Sequence, residues 1–134
     1  MNLVIYTDGA SRGNPGPGAI AFVILDQKGE ILKQRREFIG VCTNNIAEYK
    51  ALISALTEAK KLGKEVSCFS DSKVMVSQLR GEYKVKKKHL KELFEKVKKI
   101  EREFKCVEYS NVRRTDSNIK KVDRMVNEVL NQVA

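Results

Sequence analysis

At 134 residues, 42% of them hydrophobic, the chain can bury roughly two-thirds of its unfolded surface, so one domain spanning 1–134 is expected to fold without staples. Its three cysteines, Cys42, Cys68 and Cys106, are odd in number and form no CxxC; they argue against a disulfide framework or a zinc site and read as buried small hydrophobes. Lys and Arg outnumber Asp and Glu by 26 to 17, a formal +9 that favours a polyanionic partner, while no apolar leader or membrane-length run is present, so a cytoplasmic protein is expected.

Residues 3–9 form a short, mostly apolar, β-branched or aromatic run that stops at glycine, the pattern of a central strand buried on both faces. It carries Asp8 at its carboxyl end. Residues 9–18 are too rich in Gly and Pro for regular structure and predict a shaped loop; the G-x-x-x-x-G-K-[ST] pattern is missing, which argues against a P-loop. Strands at 19–25 and 30–39 flank a turn at 26–29 and complete an antiparallel meander. A helix opens at 42–45 and runs to about residue 62, with Ala51, Leu52, Ala55, Leu56 and Ala59 at helical spacing. A second strand, 66–71, also ends in an acid, Asp71, and a short helix follows over 72–80. Residues 84–105 then hold ten of the 26 basic side chains, yet Leu90, Leu93, Phe94, Val97, Ile100 and Phe104 keep a helix period. Two readings of that basic face stand: a solvated helix surface, or a nucleic-acid backbone contact near Lys84–Lys88. A last strand at 106–112, a polar loop at 113–118 and a closing helix at 119–133 complete the order βββαβααβα. This predicts an α/β fold with a mixed five-stranded sheet and helices on both faces.

Asp8 and Asp71 end two strands which, side by side, would share the crevice at the carboxyl edge of the sheet. Carboxylates so placed repel each other unless a cation holds them. Glu48, in the first turn of the first long helix, and Asp123, bordering the apolar stripe of the closing helix, would converge on the same edge. Each has a plainer reading: Glu48 as the partner of Asn45 in a helix cap, Asp71 as the N-cap of the helix at Ser72, Asp123 as a surface charge near Lys120. Together, four acids without a His or Cys partner suit hard divalent ions, Mg²⁺ or Mn²⁺. Two such ions about 4 Å apart support in-line phosphoryl displacement.

With Tyr6-Thr7-Asp8-Gly9-Ala10, the loop Gly13-Asn14-Pro15-Gly16-Pro17-Gly18, then Thr43-Asn44-Asn45-Ile46-Ala47-Glu48, Ser70-Asp71-Ser72 and Val122-Asp123-Arg124 in this order, the chain resembles ribonuclease H of type 1 over essentially its full length. The resemblance implies an endonuclease that cuts the RNA strand of RNA–DNA hybrids with two Mg²⁺ ions, leaving 3′-hydroxyl and 5′-phosphate ends. It assigns Asp8, Glu48, Asp71 and Asp123 to metal binding and catalysis. It assigns Gly9, Asn14, Thr43, Asn44, Asn45 and Ser72 to substrate contact, with Asn14, Asn44 and Asn45 at the minor groove and Thr43 on a DNA phosphate. Three departures stand out. Val41 occupies a position where an arginine is sometimes seen, which weakens the DNA-phosphate pocket and keeps double-stranded RNA open as a second substrate. The loop before Asp123 lacks a histidine, so Arg113 or Arg114 is expected to contact substrate phosphate instead, and the lone His89 reads as a surface residue. No Trp-bearing basic protrusion is present, so the chain looks like the compact form, with a monomer expected. The rival readings are a module that binds hybrids without cutting them and, more remotely, a sugar or acetate kinase-like domain.

Overall fold

The structure, a computed structural model, describes residues 2–133. The elements are β1 (Asn2–Ser11), β2 (Gly16–Leu25), β3 (Ile31–Cys42), α1 (Asn44–Ala59), β4 (Glu65–Ser70), α2 (Lys73–Leu79), α3 (Lys88–Glu101), β5 (Cys106–Asn111) and α4 (Ser117–Val133). Their order is the expected one. All five strands form one sheet, ordered β3-β2-β1-β4-β5, with antiparallel β1–β2 and β2–β3 pairs and parallel β1–β4 and β4–β5 pairs. β1 is central and β4 lies beside it, so both acid-bearing strands point the same way.

The period of two along each strand sorts side chains between two helical layers. Leu3, Ile5, Phe22, Ile24, Val66 and Cys68 face α1 and α3. Ala19, Ala21, Val23 and Leu25 face α4, packing with Val122, Val126 and Leu130. β2 is buried along nearly its whole length because both its faces are covered.

Two expectations are corrected. The glycine-rich stretch is mostly strand: β1 continues to Ser11, which pairs with Gly18, and Arg12 N–H donates to the Pro17 carbonyl at 2.8 Å. Hairpin pairing satisfies backbone groups that a free loop would leave to water, so only residues 12–15 turn, with Gly13 at φ 117°. The basic helix begins at Lys88, and residues 84–87 run up to it without helical structure while Val85 packs on the core. Cys106 is exposed at the start of edge strand β5, whereas Cys42 and Cys68 are buried.

The basic face is not all solvated. Lys98 Nζ donates to the Leu79 carbonyl at 2.7 Å, pairs with Glu101 at 3.2 Å and sits 5.5 Å from the Phe94 ring centroid. It thereby ties the end of α2 to α3. No helix among the described residues is long and apolar enough to cross a membrane.

Candidate metal centre and nucleic-acid interface

Parallel pairing sets Tyr6 opposite Phe69, and their rings stack with centroids 5.1 Å apart. Two residues further along each chain come Asp8 and Asp71, at the same end of the sheet. Glu48 reaches them from α1. That approach requires glycine at position 9, because a Cβ there would collide with the Ala47 carbonyl. The Gly9 N–H then donates to Glu48 Oε1 at 2.9 Å, fixing the carboxylate. The side chain capping α1 is Thr43, whose hydroxyl oxygen accepts from Ile46 N–H at 3.3 Å. α2 is capped by Ser72, which accepts from Met75 N–H at 3.3 Å. The capping readings of Glu48 and Asp71 are therefore overturned: neither carboxylate closes a helix end.

Carboxylate oxygens of Asp8, Glu48 and Asp71 lie within 4.8 Å of one another. Burial, reinforced by the charges of Asp71 and Asp123, raises the Asp8 pKa from an ordinary 3.8 to about 7. Glu48 is held well above its usual value by burial and then by Asp8 and Asp71. Asp71 is also raised, burial outweighing the opposing pull of the Arg114 guanidinium. Asp8 Oδ2 is buried without any hydrogen-bond partner. A buried acceptor left unpaired is costly, and here it belongs to a residue clustered with two further carboxylates. These residues fit a divalent cation: three hard oxygen donors, an orphaned lone pair and excess negative charge suit Mg²⁺ or Mn²⁺. Asp123 is exposed on α4, outside this cluster of three but near enough to raise both aspartates.

Around the acids, the asparagines brace the chain before they can meet anything else. Asn44 Oδ1 accepts from Ser11 N–H at 2.8 Å, and Asn14 Oδ1 accepts from Asn44 N–H at 3.2 Å. Both side-chain oxygens are thus turned inward, which leaves the amide N–H₂ groups to donate. That polarity matches the acceptors of a minor groove. Arg12 adds a tie the sequence reading did not single out, its guanidinium donating to Asn131 Oδ1 at 2.6 Å on α4. Asn14, Thr43 and Asn45 line a cavity of about 240 Å³ together with Ile46, Lys87, His89 and Leu90. Lys87 and His89 therefore bring basic groups to the Thr43 pocket, where Val41 brings none and is 74% exposed. Only the packing of α3 against α1 could reveal this. Arg113 and Arg114 are both exposed, and Arg114 Nε lies 3.4 Å from Asp71 Oδ2.

A mixed sheet in this order, with a buried and a half-buried acid at the carboxyl ends of adjacent strands, defines an α/β protein with a carboxylate cluster able to hold a metal. A family model described as reverse transcriptase-like matches residues 6–128. The bifunctional protein Rv2228c of Mycobacterium tuberculosis is 36% identical over 136 aligned residues, covering 100% of this chain but 37% of the relative. The chain thus spans little more than a third of the length of that curated relative. LC11-RNase H1, solved in complex with an RNA/DNA hybrid, is 40% identical with a TM-score of 0.91 over 98% of both chains. RNase H1 of the archaeon Halobacterium salinarum superposes with a TM-score of 0.93 at 32% identity, covering 98% of this chain and 99% of that one. The chain belongs to the ribonuclease H family.

Proposed function

We propose that this chain hydrolyses the RNA strand of RNA–DNA hybrids at the Asp8–Glu48–Asp71 centre, leaving 3′-hydroxyl and 5′-phosphate ends. The observation that carries the reading is the orphaned Asp8 Oδ2 among three carboxylates, on a fold shared with a relative solved in complex with a hybrid. Asp8, Glu48 and Asp71 would hold Mg²⁺, with Asp123 completing the set from α4. Bound there, a pair of such ions supplies Lewis-acid stabilisation of the attacking and leaving oxygens. The chain's own side chains do the rest. Gly9 engages Glu48 Oε1 and leaves Oε2 to accept from a ribose 2′-hydroxyl, the group that separates RNA from DNA. Asn14 and Asn44 donate to minor-groove acceptors, and the basic lip of Lys87 and His89 holds phosphate of the other strand. Asn45, Ser72 and Arg113 would add further substrate contacts.

The test is cleavage of end-labelled RNA–DNA hybrid, double-stranded RNA and double-stranded DNA in parallel, with Mg²⁺, Mn²⁺ or EDTA. Metal-dependent scission of the RNA strand of the hybrid is expected, with double-stranded DNA left intact. Tight hybrid binding without scission in either metal would support a binding module instead.

A further inference from the structure

Resting on the proposed metal centre, we infer that Arg114 is a tethered counter-ion which competes with the divalent ion for Asp71 and so sets how tightly the site binds metal. Its Nε lies 3.4 Å from Asp71 Oδ2, the one ion pair that Asp8, Glu48 or Asp71 makes among the described residues. The backbone builds this proximity. Val112 N–H donates to the Ser70 carbonyl at 2.9 Å, and Asn111 Nδ2 donates to the same oxygen at 3.1 Å, so the β5–α4 loop is stitched to the residue preceding Asp71. At its far end Asp116 Oδ1 accepts from the N–H groups of Asn118 and Ile119, at 2.9 and 3.1 Å, and caps α4. Arg114 is thus carried on a short loop fastened at both ends beside the acids. Its side chain is 92% exposed, against 15% for Asp71. An arm held by one ion pair and otherwise in water can leave without disturbing the core. A guanidinium cannot be deprotonated, so it offers a permanent positive charge to the metal-free cluster. A dication entering at Asp71 takes the same oxygens and repels the guanidinium, so Arg114 has to swing outward for the centre to fill. Arg114 is a positioning residue in this role, since it acts through Asp71.

The experiment is calorimetric titration of the whole chain with Mn²⁺ in the absence of nucleic acid, comparing wild type with Arg114→Gln, Arg114→Ala and Arg114→Lys at two ionic strengths. Both neutral variants are expected to bind the ion about three- to tenfold more tightly at low salt, from the size of exposed ion pairs and the double charge of the metal. The gain should shrink as salt screens the pair. Arg114→Lys, which keeps the charge, should stay near wild type. Equal or weaker metal binding by both neutral variants would overturn the role given to Arg114 and leave the metal centre intact. No Mn²⁺ binding by any form would overturn both this inference and the proposed hydrolysis.

Discussion

Asp8 concentrates the energetics of the site. With its pKa near 7 in the folded chain against an ordinary 3.8, it retains a proton that the unfolded chain has lost throughout the interval between those values. Stability conferred by that proton is complete below about pH 4, declines as pH rises, and is gone above about pH 7. In EDTA, Asp8→Asn should therefore stabilise the protein most at pH 8 and least at pH 4.5, as read from thermal or urea melts. A gain of the same size at both pH values would contradict the burial and repulsion described for this carboxylate. Single residues were also where the sequence was most legible. Asp8 and Asp71 could be located by strand patterning alone, because each closes an apolar run. The pairing of Glu48 with Gly9 could not, since it depends on how closely α1 approaches β1. For the same reason the turn at Glu48 looked like a cap when the cap is Thr43.

At the level of elements, the contact between β1 and α1 is what assembles the centre, and glycine at position 9 is what permits it. Gly9→Ala puts a methyl group against the Ala47 carbonyl, and overpacking of this kind costs about 1–3 kcal/mol. It should also move Glu48 off its Gly9 hydrogen bond, lowering kcat by about 100-fold, the scale of a 1 Å misplacement. Wild-type kcat together with an unchanged melting temperature would show that α1 has room to yield. Element types followed from periodicity, yet their ends did not. The β1–β2 hairpin extends into a Gly- and Pro-rich stretch because Ser11 finds Gly18 across the ladder. His89 reaches the Thr43 pocket only because α3 packs on α1, a tertiary fact that no local pattern encodes.

Across the whole molecule, a basic chain carries a small acidic centre. The formal +9 attracts a polyanion from all sides, whereas the three clustered carboxylates repel it at one point. The proposed hydrolysis would then separate holding from cutting, and the order of the sheet makes it possible: β1 and β4 run parallel side by side, and the placement of Asp8 and Asp71 follows from that one pairing. The sharpest test uses Asp71→Asn, which keeps side-chain shape while removing one charge from the centre. Hybrid affinity and single-turnover cleavage would be measured on the same preparation in Mg²⁺. Binding is expected to stay within a few-fold of wild type while scission of the RNA strand falls by about 100- to 1,000-fold, the scale of losing a principal electrostatic group. Scission by Asp71→Asn at a rate close to wild type would place the chemistry away from the Asp8–Glu48–Asp71 cluster.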